Sequence, residues 1–556
     1  MRKGWLLFAI GWLLVLGGSW AASAIQTDGG ITVEDVRFAG TGGVTMSGLL
    51  YTPPNATAET PAPGILAVHG YINSRETQSA FAIEFARRGY VVLAMDQTGH
   101  GYSGGAAFSN GFGGPDGLKY LRGLPTVDKA NIGLEGHSMG GWTVLAAAAA
   151  MPDGYRAIVL EGSSTGAPFA ADGTPTWPHN TALVFSKYDE FSKLMWGVPR
   201  AVDVGTSAKA KAKALFGSTE PLQPGRLYGD IAAGTARRLY QPNTTHPGDH
   251  LSAEAVGASL DWFSQTLTGG APSPADNQIW MRKEAATGVA LVGFVVLLLG
   301  AFAVLLDLPL FAALRGVPTT SPPPSRLRLA LTAGIPVLTF FPAFIAVTLL
   351  IKPSALLPQT VTTQVVVWAL INLAITLIIG LFGKRPEPGP GRNILLPAVL
   401  IAIAVSALGY LSLLIADRLF LVDFRFWVVA LKLLSPQQAM IALIYLLPLT
   451  AFFWVSLNAL HRRLTSAYGT AIAAMAGGFL LFLIVNYGIF FATGRLPTDF
   501  DPLSTVIAIQ FVPVLAAAAI VSTFAWRRTG SALPGALICG LVVTWYMVAG
   551  TATQFV

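Results

Sequence analysis

Ser138 sits in the pentapeptide Gly136-His137-Ser138-Met139-Gly140, a serine with a glycine two residues away on each side. This spacing serves nucleophilic chemistry when a strand runs in and a helix runs out, because the turn forces the serine into a strained backbone conformation and the glycines let neighbouring backbone come close. The apolar run Ile132–Glu135 leads in and the helical run Trp142–Ala150 leads out. The serine hydroxyl then projects from a sheet edge, above a helix N-terminus that favours negative charge. Serine is a weak nucleophile at neutral pH, so it needs an adjacent base, and the base needs an acid to fix its tautomer. A chain with 59 glycines produces the pentapeptide by chance, so the flanking elements carry the argument.

Those elements are legible upstream and downstream. A β-rich opening runs over Ile31–Phe38 and Val44–Tyr51, with a glycine turn at Gly40–Gly43 between them. Strand and helix then alternate. Gly64–Val68 and Tyr90–Met95 read as strands around a helix at Thr77–Arg88, with a short helix at Gly117–Leu124 before the nucleophile strand. Ala157–Leu160 and Ala182–Phe185 follow as strands. Asp189–Thr235 is an irregular insertion with a helix expected at Ser207–Phe216, and Ser252–Thr266 is a closing amphipathic helix. Such alternation predicts a mostly parallel sheet covered on both faces.

Three motifs in order, Val68-His69-Gly70, Asp96-x-x-Gly99-His100-Gly101-x-Ser103 and the Ser138 pentapeptide, resemble the α/β-hydrolase superfamily of the serine esterase, lipase and dienelactone-hydrolase-like kind. The resemblance covers residues 30–268 and is specific for the superfamily, not for a substrate. It implies an α/β-hydrolase fold, with the acid and then the histidine downstream of the nucleophile. Asp189 stands where such members place the acid, with Glu190 and Glu161 as alternatives. In Thr245-His246-Pro247-Gly248-Asp249-His250 the resemblance favours His246 as base, by its offset from the helix start at Ser252, and leaves His250 as the alternative. It also implies an oxyanion hole from the backbone N–H groups of Tyr71 and Met139. His69, His100 and His137 belong to motif positions beside the site, and His179 to a lid. Phe108, Phe112, Trp177 and Trp196 could roof an acyl pocket or serve as ordinary lid packing. No H-E-x-x-H, Cys/His cluster, Walker A or dinucleotide fingerprint is present, so neither metal nor cofactor is expected.

The rest of the chain is of a different kind. Of 556 residues, 53% are hydrophobic and only 12% charged, against about 25% charged in soluble proteins. Met1-Arg2-Lys3 followed by Trp5–Leu16 and Ala22-Ser23-Ala24 makes residues 1–26 a signal peptide or an N-terminal transmembrane anchor. Residues 269–284 form a linker. Residues 285–556 hold eight apolar segments, at 285–307, 327–351, 361–382, 394–416, 437–460, 468–493, 503–525 and 532–551, each near the ~20 residues of a spanning helix. Clusters at Arg2-Lys3, Arg315, Arg326–Arg328, Lys384-Arg385, Arg392, Arg462-Arg463 and Arg527-Arg528 fall on alternate ends and mark the cytoplasmic side, which leaves the hydrolase region outside. The net charge of +7 is thereby a topology signal and not a nucleic-acid groove. Leu419–Leu434 reads as an interfacial helix or a packed loop.

Together these features predict an α/β-hydrolase domain fused to an all-α polytopic transmembrane bundle. Its expected activity is cleavage of an ester or thioester of a hydrophobic, lipid-like acyl substrate through acyl-Ser138, in contact with a lipid bilayer. The alternatives are an acyltransferase using the same triad, or a non-catalytic hydrolase-like head on a transport or signalling bundle. Clear polar residues inside the spans are few (Asn372, Asn486, Gln510), which disfavours ion-coupled transport. Oligomeric state and natural substrate are not encoded in these patterns.

Overall fold

The computed structural model describes residues 2–207, 211–318, 325–381 and 393–556. Among them a nine-stranded sheet forms the N-terminal half, in the order β1-β2-β4-β3-β5-β6-β7-β9-β8. Its strands are β1 (Thr32–Ala39), β2 (Thr45–Thr52), β3 (Ala62–Val68), β4 (Val91–Asp96), β5 (Val127–His137), β6 (Ala157–Glu161), β7 (Thr181–Val184), β8 (Leu227–Tyr228) and β9 (Arg237–Tyr240). β1, β2 and β4 pair antiparallel, as does β8 with β9, while β4-β3-β5-β6-β7-β9 run parallel. β3, β4, β6 and β7 are buried along their whole length, as apolar strands covered on both faces must be. Helices α2 (Ser79–Arg87), α3 (Gly114–Gly123), α4 (Met139–Ala150) and α7 (Ala253–Thr266) supply that cover.

The insertion after β7 carries short helices α5 (Ser192–Trp196) and α6 (Ala212–Phe216). The helix expected at Ser207–Phe216 is thus met by α6, and residues 208–210 lie outside the described residues.

The long apolar helices are α1 (Arg2–Gln26), α8 (Trp280–Leu306), α9 (Arg326–Leu350), α10 (Thr360–Leu381), α11 (Leu395–Phe420), α12 (Pro436–Arg463), α15 (Pro502–Thr529) and α16 (Leu533–Gly550). Among the described residues, these eight are long and apolar enough to cross a membrane, and α13 (Tyr468–Met475) with α14 (Gly477–Thr493) adds a ninth if that pair, bent by 53°, is one span. This marks a multi-pass membrane protein. The basic residues Lys384, Arg385 and Arg392 lie outside the described residues. α1 packs along α8 at very short range: a Cβ on Gly11 would come within 2.6 Å of Leu297 Cα, and one on Gly300 would overlap Phe8 backbone. Small residues at such positions are how apolar helices gain contact where lipid offers no hydrophobic drive.

Leu419–Leu434 is not an interfacial helix. α11 ends where Leu421 adopts a left-handed conformation (φ 52°), and a β-hairpin follows, β10 (Phe424–Phe426) with β11 (Val429–Leu431). Asp423 and Arg425, two residues apart, pair side by side at 2.7 Å, and both are buried against the hydrolase domain. A helix would have separated them.

Sheet domain and bundle are joined through many contacts. Arg425 donates to Thr77 Oγ1 (2.7 Å) and Ser74 Oγ (3.2 Å), and Lys283 Nζ donates to Ser79 Oγ (3.0 Å). The tail after α16 returns to the sheet domain, where Thr553 exchanges backbone hydrogen bonds with Gly99 (2.8 Å) and Ala107 (2.7 Å).

Candidate active site

β5 ends at His137 and α4 begins at Met139, so Ser138 alone makes the turn, with φ 55° and ψ −122°. A non-glycine residue there is strained, and the surroundings hold it: Ser138 N–H donates to Glu161 O at 2.8 Å on the neighbouring strand. Gly140 is required by packing, because a Cβ there would overlap Val68 O. Ser138 is half-buried and so remains reachable.

β7 and β9 are parallel neighbours, and their pairing continues past the strands through Lys187 N–H to Pro242 O (2.9 Å), Tyr188 N–H to Thr244 O (3.1 Å) and a bridge between Tyr188 and Thr245. This zipper carries the next residue on each side into contact: Asp189 Oδ2 lies 2.8 Å from His246 Nδ1. Phe191 N–H donates to Asp189 Oδ1 at 2.7 Å, holding the carboxylate in place. His246 lies directly against the elbow. His137 Nε2 is 3.0 Å from His246 O, and a Cβ on Gly162 would come within 2.9 Å of His246 Nδ1. Among the described residues neither Ser138 Oγ nor His246 Nε2 has a hydrogen-bond partner, so both remain free to engage each other and a substrate. Such bonds often close only in the substrate complex.

The other sequence candidates fall elsewhere. Glu190 is buried and accepts the His246 backbone N–H at Oε2 (2.8 Å) and the Tyr487 hydroxyl at Oε1 (2.7 Å), so it holds the histidine loop without touching the ring nitrogens. Glu161 accepts from Ser259 Oγ (2.9 Å), on α7. His250 packs against the tilted His137 ring (centroids 4.2 Å apart, 54° between planes) and edge-on to Phe81, and neither of its ring nitrogens has a hydrogen bond among the described residues. The structure therefore pairs Asp189 with His246 beside the Ser138 elbow and gives Glu190, Glu161 and His250 other surroundings.

The loop leaving β3 passes beside the serine, where a Cβ on Gly70 would be 3.0 Å from Ser138 Cβ. Tyr71 N–H follows on this loop, and Met139 N–H opens α4. Neither has a backbone acceptor among the described residues, so both are available to an oxyanion. Phe108 is stacked on Tyr71 (5.6 Å) and on Phe169 (6.3 Å), and Phe112 is edge-on to Phe108 (6.1 Å), making an aromatic wall that includes the exposed Phe108 and Phe169. Trp196 does not join it. It is fully buried against Phe185 and donates to Ser163 O, so its role is packing. Trp177 lies by a surface groove behind α4.

Burial pushes the His246 pKa down to about 4, only partly offset by the charge of Asp249. The imidazole is therefore neutral, as a general base must be. Burial and Asp249 push the Asp189 carboxyl up, opposed by the Phe191 N–H. Burial, with Asp189 next to it, raises Glu190 to about 8.

Sequence reasoning missed the residues that the bundle contributes. Besides Tyr487 on Glu190, Trp427 Nε1 donates to Pro247 O (2.7 Å) and Gln554 Nε2 donates to the Tyr71 hydroxyl (2.6 Å). Phe191 packs on the His246 ring (4.4 Å). None belongs to a local motif that could have signalled it.

A strained serine elbow on a parallel sheet of this order, with a histidine–carboxylate pair beside it, defines an α/β-hydrolase. Residues 59–188 match the family model described as serine aminopeptidase, S33. A monoacylglycerol lipase of Mycolicibacterium smegmatis is 33% identical over 219 residues, 37% of this chain and 70% of that protein. Among solved structures, an esterase from Pyrococcus furiosus aligns over 44% of this chain and 96% of its own (19% identity, TM-score 0.31). A dienelactone hydrolase from Anabaena variabilis aligns over 43% and 99% (19% identity, TM-score 0.29). A hypothetical protein from Pseudomonas aeruginosa is 28% identical over 24% of this chain, which spans 43% of that structure (TM-score 0.22). Through its N-terminal half, the chain belongs to the α/β-hydrolase superfamily, as a serine-hydrolase, lipase-like domain.

Proposed function

We propose that the protein is a membrane-embedded serine hydrolase that cleaves an ester of a lipid-like acyl substrate. The observation that carries this reading is the 2.8 Å Asp189–His246 pair set against the strained Ser138 elbow. In the proposed cycle Ser138 Oγ attacks the acyl carbonyl carbon while His246 Nε2 takes its proton, and Asp189 stabilises the imidazolium. The Tyr71 and Met139 N–H groups take the oxyanion, a contribution of about 3 kcal/mol per donor in comparable sites. His246 then protonates the departing alcohol. Water, activated by the same histidine, releases the acid from acyl-Ser138. The monoacylglycerol lipase relative and the aromatic wall beside Tyr71 support an acyl substrate.

The bundle supports residence in a bilayer. Its helix ends away from the sheet domain carry Arg2, Arg315, Arg326, Arg328, Arg462, Arg463, Arg527 and Arg528, which supports an extracytoplasmic hydrolase domain. The close α1–α8 packing favours a retained anchor over a removed signal peptide, and N-terminal sequencing of the membrane-bound protein checks this.

The test is fluorophosphonate labelling of membranes, with monoacylglycerol and peptide-amide hydrolysis measured in parallel. Labelling lost in Ser138→Ala and His246→Ala, kept in His250→Ala, and accompanied by glyceride cleavage supports the reading. Labelling that survives Ser138→Ala, or turnover of the amide alone, overturns it. Adding an alcohol acceptor identifies transferase activity by its ester product.

A further inference from the structure

A cavity separate from the catalytic residues lies between the sheet domain and the bundle. Its empty volume is about 830 Å³, counting the space at its open mouth, and it is a narrow slot between the helices. Its roof is Ile72 of the loop after Tyr71, together with Arg425 and Lys432 at the hairpin. Its far end lies among Leu449, Phe453 and Leu515. On α15 the lining runs from Ile507 to Leu515, over which the helix rises about 12 Å. The slot is therefore thin and mostly apolar, its polar side chains being those of the mouth, Thr551, and Gln510 with Tyr546, whose hydroxyl donates to Gln510 Oε1 at 2.6 Å.

The mouth holds an unusual charge. The Arg425 guanidinium is fully engaged by Asp423, Thr77 and Ser74, and Arg75 nearby by Glu76, Asp35, Ser47 and Gly48 O. Lys432, only 5% exposed, lines the slot, and its ammonium has no hydrogen bond or ion pair among the described residues. Glu76, Asp96 and Asp423 act on it through space and Arg425 opposes them, while burial pushes its pKa down. A buried ammonium is costly unless it meets an acceptor. The three carboxylates act at a distance, so the ammonium at the head of this mostly apolar slot still lacks an acceptor in direct contact, and an anion on a single alkyl chain supplies one.

We propose that this slot binds a long-chain fatty acid, with its carboxylate on Lys432 and its chain running between α10, α12 and α15. The proposal rests on the lipid-ester reading for the origin of the ligand: hydrolysis of an acyl ester by water yields the alcohol and this acid. Ile72 directly follows Tyr71, so the slot adjoins the loop that passes beside Ser138, from which that acid would be released.

The experiment uses the full chain carrying Ser138→Ala in phosphatidylcholine nanodiscs, so binding is read without turnover. A long-chain fatty acid with a mid-chain diazirine is photolysed on it, and the labelled peptides are mapped. The expected result is saturable labelling of the α12 and α15 segments around Leu449, Phe453 and Leu515, competed by unlabelled fatty acid but not by the alcohol of equal length. Lys432→Gln weakens competition by roughly tenfold or more, the worth of a charge-assisted hydrogen bond, and Leu515→Trp, which fills the slot and leaves the mouth intact, removes the labelling. Equal competition by the alcohol, or labelling confined to lipid-facing residues such as Leu443 and Leu447 and indifferent to Leu515→Trp, overturns the proposal. Fluorophosphonate labelling of the Ser138 protein is scored separately, so failure of the hydrolase reading and failure of the slot are told apart.

Discussion

At the scale of single residues, two histidines four positions apart have opposite surroundings. His246 meets Asp189 through Nδ1, whereas His250 packs against His137 and Phe81 and has no hydrogen bond among the described residues. His250→Phe is expected to keep kcat/KM within a few-fold, and His246→Ala to lower it roughly 10⁴-fold, as loss of a triad base does. Equal losses in the two variants would refute the assignment. The pKa of about 4 at His246 has a kinetic sign. Protonation disables the base, so activity is lost as pH falls through that value and not through the ordinary imidazole range near 6.5. The kcat/KM profile should be flat from about pH 5.5 to 7.5. An acid limb centred near 6.5 would contradict it. The serine and its glycines could be read from the sequence because a turn is a local property. The preference for His246 over His250 came from the resemblance and not from a local pattern, because both precede the same helix and their surroundings differ only in the folded chain, where Asp189 meets His246.

At the scale of elements, the elbow is a contact between β5, α4 and the end of β3. Gly140→Ala would drive a Cβ into Val68 O, with no flexible side chain to yield. A loss of roughly 1–3 kcal/mol in stability is expected, as for overpacking elsewhere, together with slower fluorophosphonate labelling. Wild-type melting and labelling would show the contact to be tolerated. α14 reaches the same site from the other side: Tyr487 donates to Glu190, which in turn accepts the His246 N–H. Removing that donor leaves one Glu190 oxygen unpaired in a buried place. Tyr487→Phe should lower kcat by roughly tenfold with little change in KM, in line with a lost buried hydrogen bond of about 1–1.5 kcal/mol. An unchanged kcat would mean that Glu190 holds the loop alone. Strand and helix positions along the chain were legible from hydrophobic period, as with β3, β5 and α7. The hairpin at Phe424–Leu431 was not, since its aromatics and charges suit an interfacial helix equally well until Arg425 finds Ser74 and Thr77.

At the scale of the molecule, the bundle is part of the hydrolase domain's structure. Arg425 lies in a buried network that includes Asp423, Thr77 and Ser74, and the tail residues Thr553 and Gln554 hold Gly99, Ala107 and Tyr71. Arg425→Gln leaves Asp423 buried without its cation, a change that costs about 3–5 kcal/mol in comparable pairs. The full-length variant should melt at a lower temperature and lose labelling together with the melt, and an Asp423→Asn, Arg425→Gln double variant should recover part of the loss. No recovery would place Arg425's contribution outside the pair.

What the sequence determined by itself were the features written in short-range pattern: the Ser138 elbow, the alternation that builds a parallel sheet, and the long apolar helices. These follow from spacing, turn chemistry and hydrophobic period, which act within a few residues. Only the tertiary structure decided that Asp189 meets His246, that Glu190 answers to Tyr487 and Tyr71 to Gln554, and that a slot lined by Lys432 opens beside the loop after β3. Those partners lie tens to hundreds of positions apart. Their meeting depends on how the strands align and how the bundle docks, and no local pattern encodes it.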